Sequence, residues 1–406
     1  MHRVATAKKR ILRPPQVRGA NRAALLQLLR HNDHMSRADI ARQSGLSEGT
    51  VSRIMSELIA EALVREDGEE NSTGGRPGRR LQLEPRRIAF GAEIQNWETR
   101  VAITTIRGRI VESWRFRTPA SAEETLDRIA EEFVRCRKRV GTQRVAGVGI
   151  AARGIVNSDT GVLVLGSRSD WVNVPVRAIL EAKLREPVFL ENNVRAAALA
   201  EYNYGSTDVY GSRSFLFVKM DEGVGMGIVL DGKLYYGPRM AAGEFGQMVI
   251  AMASAPERHD RPGCLERLAS NPALCERYSA LIGERRSAPG DTSARVRRIV
   301  QLADSDAAAR DTLLETARCL GIGISNAVWG LDADVVVIDG AITAAWHLIE
   351  PVLLDQMPDG YNLAELKVML RPSTLGGEAA LIGAATLPLT TIFATGECQH
   401  LVGVPA

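Results

Sequence analysis

Three stretches within the first sixty residues repeat hydrophobic residues at the spacing of one helix face. Their apolar positions are Ala24, Leu25, Leu28 and Leu29; then Ile40 and Ala41; then Val51, Ile54, Met55, Leu58 and Ile59. Ser36 and Asp39 form a capping-box start for the second helix, and Ser47 opens the third. The turn Ser44-Gly45-Leu46 joins these two helices. Two short helices joined by a glycine-containing turn predict a helix-turn-helix, whose second helix enters the major groove of DNA.

The third stretch also has a polar face. It carries short polar or cationic side chains that can reach base edges and phosphates, namely Ser47, Glu48, Thr50, Ser52, Arg53 and Ser56. An ordinary helical hairpin with a solvated face has the same pattern, so the continuation of the chain decides between the two interpretations.

Two strands with a polar loop between them follow. Ala62 to Glu66 and Arg79 to Leu83 have strand character, and Asp67 to Gly78 joins them. Arg76, held between Gly75 and Pro77 on a slim backbone, can enter a narrow minor groove, where the negative potential is highest. We therefore predict a winged helix-turn-helix over residues 16–85. The predicted DNA contacts are Ser47, Thr50, Ser52, Arg53, Arg76 and Arg79.

Charge separates the front of the chain from the rest. Residues 1–80 contain 15 Lys and Arg against 9 Asp and Glu, a net charge of +6. The whole chain has 51 against 48, so residues 81–406 have 36 against 39, a net charge of −3. This division is expected when only the front meets a polyanion. Residues 1–15 are basic and lack the apolar core of a secretion signal, so we expect a disordered arm there.

The whole-chain composition narrows the class of protein. A chain of 406 residues, 45% of them apolar, can build two or three domains with substantial cores. No run is expected to reach the apolar length of a membrane span, so no membrane association is predicted. The five cysteines are scattered, which favours a cytoplasmic protein with reduced thiols. They are Cys136, Cys264, Cys275, Cys319 and Cys398.

From Ile88 onward, short strands alternate with helices. The predicted strands are 90–94, 99–106, 110–114, 145–151, 188–190, 214–220 and 335–338, and the predicted helices include 122–139 and 194–204. Such alternation predicts an α/β fold with helices covering the sheets. We assign residues 86–406 to this second domain. The stretch Arg285 to Arg297 is interpreted as a loop without a functional assignment.

Five segments, in their order and spacing, resemble the ROK family, which groups sugar-responsive repressors with sugar kinases. They are 190–193 (LENN), 223–234 (GVGMGIVLDGKL), 242–246 (AGEFG), 263–266 (GCLE) and 372–376 (PSTLG). The resemblance covers nearly the whole chain, including the winged-helix front end of the repressor branch. It implies a two-lobed, actin-like ATPase fold that binds an effector and forms dimers.

Two departures from the family pattern concern catalysis. Where the kinases have an Asp-Ile-Gly-Gly-Thr loop, this chain has Glu93-Ile94-Gln95-Asn96-Trp97, and a backbone without glycine cannot bring its amides so close to a triphosphate. The catalytic Asp of the kinases is replaced by Asn193. An amide is not a usable general base near neutral pH. The resemblance therefore predicts no enzyme activity and no catalytic residue, with an active sugar kinase as the alternative.

The same resemblance implies a sugar-binding set. Its members are Asn192, Asn193, Glu244, Gln247 and Glu266, where Gln247 stands at the position of a family histidine. Carboxylates and amides suit polyols because they form paired hydrogen bonds with hydroxyl groups. Glu244 and Glu266 have ordinary structural interpretations too, as a carboxylate at a helix N-terminus and a solvated helix residue.

A zinc site of the family is incomplete here. Of its three cysteines only Cys264 remains, the others reading Glu257 and His259, and its histidine is Gln247. Zinc prefers four nitrogen or sulfur donors. We predict no metal and no cofactor.

Together these patterns predict a repressor of carbohydrate genes. Its expected partners are a double-stranded DNA operator and a sugar or sugar derivative, and its expected assembly is a homodimer, with a tetramer as the alternative. A regulator controlled by a protein partner and an activator both remain open.

Overall fold

The computed structural model describes residues 14–32, 34–69, 79–141, 143–166, 168, 170–206, 208–252, 263–284, 292–357 and 368–395. The front end is a three-helix unit with a two-stranded antiparallel wing. Its elements are α1 (Pro14–His31), α2 (Arg37–Ser44), α3 (Glu48–Ala60), β1 (Val64–Glu69) and β2 (Arg79–Leu83). The predicted capping box is present, and Gly45 ends α2 with a φ of 71°. A bridge from Met35 to Leu81 ties the wing to the helices.

Some boundaries differ from the sequence prediction. α1 begins at Pro14, so the last two residues of the predicted arm are helical, because proline is tolerated in the first turn of a helix. Residues 1–13 lie outside the described residues. The first wing strand begins at Val64 and runs to Glu69, later than predicted. From Thr292 the stretch interpreted as a loop is helical.

The second domain contains two sheets of the same topology within the described residues. The first has the order β10-β6-β3-β4-β5, and the second has the order β13-β12-β11-β14-β15. In each sheet, the first three strands in chain order form an antiparallel meander. The two later strands then extend the sheet beside the first strand, and both are parallel to it. This duplication produces the two lobes of the actin-like fold.

The first lobe spans 87–192. Its strands are β3 (Arg87–Ile94), β4 (Glu98–Thr105), β5 (Ile110–Arg117), β6 (Arg144–Ala152) and β10 (Val188–Asn192), with a side sheet of β7 (Gly154–Asn157), β8 (Val162–Gly166) and β9 (Val172–Val174). Its helices are α4 (Ala122–Val140) and α5 (Val176–Leu184). α4 turns one apolar stripe inward, including Leu126, Ile129 and Phe133.

The second lobe spans 214–372. Its strands are β11 (Ser214–Met220), β12 (Val224–Leu230), β13 (Lys233–Leu234), β14 (Val335–Asp339) and β15 (Met369–Pro372). Its helices are α7 (Leu265–Ala269), α8 (Asn271–Leu281), α9 (Thr292–Leu302), α10 (Ala307–Leu331) and α11 (Trp346–Asp355). The central strands β11 and β14 are buried along their whole length, as expected for strands covered on both faces.

Two helices, α6 (Asn193–Tyr204) and α12 (Ala379–Thr395), pack against each other between the sheets. Small residues allow α12 to approach both the first sheet and α6 closely: a Cβ added to Gly149 of β6 would lie 1.8 Å from the Ala384 oxygen of α12, and one on Gly383 of α12 would lie 2.0 Å from the Ala196 oxygen of α6. The segment Gly376–Ala394 has a mean hydropathy of 1.3 and is long enough to span a membrane, contrary to the sequence analysis. Its window is 72% buried, as in the core helix of a globular domain.

Candidate functional site

The N-terminus of α3 faces solvent. Ser47 caps the helix by accepting a hydrogen bond of 3.3 Å from the Thr50 amide, and its hydroxyl lies 2.9 Å from that of Thr50. Arg53 is exposed and Ser52 is half-buried, while Val51, Ile54, Met55 and Leu58 face the core. The helix therefore presents the predicted polar face outward, ready to enter a groove.

Arg79 has a neighbour that the sequence did not indicate. Its guanidinium donates to Glu66 at 2.5 Å, and Glu66 also accepts from Arg37 at 2.8 Å. These two cations hold the pKa of Glu66 below its usual value. An exposed ion pair of this kind contributes little to stability, so Arg79 can exchange Glu66 for a phosphate at low cost. Arg76 lies outside the described residues, and its predicted contact stays a prediction.

A cavity of about 180 Å³ opens between the lobes, and four of the five predicted sugar-binding residues line it: Asn192, Asn193, Glu244 and Glu266. Its wall combines the end of β6, the N-terminus of α6, the turn from β11 to β12, the segment 242–244 and α7. The volume is below the range of roughly 300–1,000 Å³ found for drug-sized ligands. A ligand of monosaccharide size fits the volume and the polar wall.

Asn192 is largely committed to the protein itself. Its side-chain oxygen accepts from the amides of Val194 and Arg195 at 2.8 and 3.1 Å, and its nitrogen donates to the Gly154 oxygen at 2.9 Å. It is the N-cap of α6. Asn192 thus positions α6, and one N–H of its amide remains for a ligand.

Two carboxylates, Glu244 and Glu266, also line the cavity. Glu266 accepts from the Val224 amide at 3.1 Å. Glu244 is open to solvent on one side, yet desolvation in the cleft, followed by repulsion from Glu266, raises its pKa. Asn193 is 9% exposed and also lines the cavity. These groups can donate to and accept from hydroxyl groups.

Gln247 departs from the prediction. It is exposed at the end of a single 3-10 turn, Phe245–Gln247, and does not line the cavity. Phe245 is buried in the core of the second lobe. Because Phe245 anchors this short turn, the backbone carries Gln247 away from the cleft.

Charged residues that the sequence analysis missed complete the cleft. Arg195 is buried and contacts Glu191 at 2.7 Å, and Lys219 contacts Asp339 at 3.0 Å. Arg153 and Asp221 also line the cavity. Arg153 and Lys219 lie at or just beyond the ends of strands, where ligands of α/β proteins often bind. Their position at predicted strand ends was the sequence signal that could have indicated them.

The segment that corresponds to the kinase phosphate loop begins at Glu93, which forms a buried ion pair. Glu93 is fully buried and accepts from Arg100 at 3.0 Å. Arg100 also donates to the Gly377 oxygen and so links the first lobe to the segment before α12. Glu93 stands at the position of the kinase aspartate, and the two glycine positions of the loop hold Gln95 and Asn96, whose side chains replace the bare backbone.

The predicted absence of zinc is not tested. Cys264 is buried before α7, and Glu257 and His259 lie outside the described residues. Among the residues that the structure does describe, no cluster of three or more histidine, cysteine or acidic side chains could hold a metal ion.

A match to the ROK family covers residues 90–391, well over half of the chain. The chain belongs to the ROK family. A second match, to a winged helix-turn-helix DNA-binding domain, covers residues 20–65. The ROK domain therefore follows a DNA-binding domain, as in the repressor branch.

Relatives and solved structures agree. The chain is 26% identical over 390 residues to the xylose repressor of Caldicellulosiruptor bescii, covering 93% of this chain and 97% of that protein. It is 25% identical over 345 residues to the DNA-binding transcriptional dual regulator NagC of Escherichia coli K12, covering 83% and 84%. A ROK family transcriptional regulator, a homolog of the E. coli MLC protein, superposes with a TM-score of 0.77 at 22% identity, covering 94% and 98%. The ROK hexokinase of Thermus thermophilus superposes with a TM-score of 0.59 at 27% identity, covering 73% and 96%.

Proposed function

We propose that this ROK-family protein is a transcriptional repressor of carbohydrate genes that releases its operator when a sugar or sugar derivative enters the cleft. The observation that carries the proposal is the union, in one chain, of an outward-facing recognition helix and a polar cavity of monosaccharide size. Because its partner is DNA, we place its action in the cytoplasm. Two copies reading two half-sites about one DNA turn apart would account for operator binding.

The protein is proposed to have no kinase activity. Asn193 occupies the position of the general base, and Gln95 and Asn96 stand where the phosphate loop of the kinases has its two glycines. A loop without those glycines cannot bring its amides so close to a triphosphate, and the amide of Asn193 cannot take the proton of a sugar hydroxyl. Both requirements of phosphoryl transfer are therefore unmet.

α6 supports a route from the cleft to DNA. The helix begins at the cleft with Asn193 and ends at Tyr204, next to α1 of the DNA-binding domain. There the Arg30 guanidinium of α1 donates to Asn203 and lies 5.3 Å from the centre of the Tyr204 ring. A ligand that displaces the start of α6 would also move the end of α6, which contacts α1. A coupling of about 1–3 kcal/mol would change operator affinity roughly 5–150-fold.

The test starts from the full chain and DNA selected by it from a random pool. Fluorescence anisotropy at fixed salt then compares wild type with Arg53→Ala, Arg76→Ala and the matched control Arg109→Ala, which removes an exposed charge in the second domain. We expect the first two to bind about 5–150-fold more weakly, from about 1–3 kcal/mol per contact, and the control to bind as wild type does. Equal binding by all four would overturn the assigned DNA surface.

Effector release is tested by adding a panel of sugars to the protein–DNA complex. At least one should lower operator affinity, and Asn193→Ala should abolish that response. Intact DNA binding with no response to any sugar would favour control by a protein partner instead. ADP formation from ATP with a sugar, lost in Asn193→Ala, would establish a kinase.

A further inference from the structure

Arg153 stands out among the cations of the cleft. Lys219 and Arg195 are both buried and each is paired with a carboxylate. Arg153, directly after β6, lines the cavity but makes no hydrogen bond or ion pair with another residue that the structure describes. A guanidinium stays charged at every accessible pH and offers five N–H donors in a planar fork. The cleft therefore holds a cation whose donors are free for a ligand.

A second group points to the same place. Asn193 is 9% exposed, lines the cavity and has no side-chain partner among the described residues. It is the first residue of α6, whose N-terminal end carries a partial positive charge. Arg153 and the start of α6 thus make one side of the cavity attractive to an anion.

Carboxylates line the same cavity, and one of them lies close to Arg153. Glu266 and Glu244 are carboxylates, which accept hydrogen bonds from hydroxyl groups. Arg153 and Glu266 both approach Gly223: a Cβ on that glycine would lie 3.0 Å from Arg153 Nη2 and 2.5 Å from Glu266 Oε2. They nevertheless do not form an ion pair within 4.0 Å. The absence of a side chain at Gly223 keeps both groups open to the cavity.

We propose that the effector is an anionic sugar derivative, whose carboxylate or phosphate is bound by Arg153 and whose hydroxyl groups are bound by Glu244 and Glu266. This inference rests on the proposed function of the cleft as the effector site and adds the chemical class of the ligand. Arginine suits either anion, because its fork can bind two oxygens at once.

Calorimetry on the full chain tests the proposal, with neutral sugars compared with their uronic acids, aldonic acids and phosphate esters. Wild type should bind one anionic derivative roughly 10–100-fold more tightly than its neutral parent, the range expected for a charge-assisted hydrogen bond. Arg153→Gln should bring this ratio close to one, and Arg153→Lys should leave an intermediate ratio. Arg109→Gln, which removes an equal charge far from the cleft, should keep the wild-type ratio. Whether acids or phosphate esters bind identifies the anion.

Two results would contradict this expectation, and they are distinguishable. If wild type binds a neutral sugar as tightly as its acid and its phosphate, and Arg153→Gln leaves the ratio unchanged, Arg153 merely balances Glu266; the anionic effector is then wrong while sugar sensing stands. If no sugar of any kind binds although DNA binding is intact, both proposals fall. Circular dichroism and thermal unfolding confirm that each variant is folded before its ratio is interpreted.

Discussion

Arg107, in the turn between β4 and β5, donates a hydrogen bond of 2.8 Å to the main-chain oxygen of Leu29 in the last turn of α1. A second bond of 3.2 Å reaches the Arg30 oxygen. The last carbonyls of a helix have no partner within the helix, so the ROK domain caps the first helix of the DNA-binding domain. The two domains also share one core, which includes Leu25, Leu26, Leu29, Ala89, Ile106, Leu389, Ile392 and Phe393.

Arg107→Gln should loosen this docking. The variant loses a charged donor to two carbonyl oxygens, at a cost of about 1.5–3 kcal/mol. We expect faster hydrogen exchange in the second half of α1 and unchanged exchange in α10, which is remote from the contact. Arg109→Gln, two residues away and exposed, is the control and should exchange as wild type does. Identical exchange of α1 in both variants would mean that the cap does not hold the domain.

Acid should weaken the same interface through His31. The imidazole stacks on Tyr210 with ring centres 3.6 Å apart. Burial, then the charges of Arg30 and Arg107, lower its pKa from 6.5 to about 4. Between these two values the unfolded chain takes up a proton that the folded protein refuses, so the contribution of His31 to stability is present above pH 6.5 and is lost as the pH falls toward 4.

The measurement is the melting temperature at pH 7.5 and at pH 5. His31→Gln should lose less stability on acidification than wild type, because glutamine does not titrate. Tyr210→Phe keeps the stacked ring and should follow wild type. Parallel pH curves for wild type and His31→Gln would show that His31 does not link pH to docking.

Local patterns predicted the elements of this fold well. Helix faces, capping residues and apolar strands are encoded by neighbouring residues, and α3, β11 and α6 lie within a residue or two of their predicted bounds. Long-range pairs left no such pattern. Arg107 and Leu29 are 78 positions apart, and no sequence pattern near either residue predicts the contact.

The cleft was predictable only where its residues belong to a local pattern. Asn192 follows a strand and precedes a helix, which is the signal of an N-cap, so its capping role could have been inferred. The position of Gln247 outside the cavity lining could not be predicted, because the direction of a side chain at the end of one 3-10 turn depends on how Phe245 packs. Arg153 was missed because a single arginine after a strand resembles any solvated one.

The close packing of α12 on the first sheet is open to a direct test. Gly149→Ala places a methyl group against the Ala384 oxygen, and overpacking of this kind costs about 1–3 kcal/mol. Gly330→Ala is the matched control, since a Cβ there meets nothing within 4 Å and alanine in a helix gains about 0.5–1 kcal/mol over glycine. Denaturant unfolding should therefore move in opposite directions for the two variants. A Gly149→Ala protein as stable as wild type would contradict the helix-to-sheet contact.

The last prediction concerns the two carboxylates of the cleft. Desolvation and Glu266 raise the pKa of Glu244 above its ordinary value of 4.5, so ionisation of Glu244 at neutral pH opposes folding. Glu244→Gln should raise the melting temperature at pH 7, and the gain should disappear below pH 4.5, where both states are protonated. The same variant should bind the effector more weakly, a stability gained at the expense of function.

A double-mutant cycle separates repulsion from other effects of the substitution. In a Glu266→Gln background the repulsive neighbour is uncharged, so Glu244→Gln should then stabilise less than it does in wild type. Equal gains in both backgrounds would mean that desolvation alone causes the effect and that the charge of Glu266 does not act on Glu244. A reduced gain would show that the cleft holds two like charges close together, and the hydroxyl groups of a polyol that donate to both carboxylates would relieve this cost.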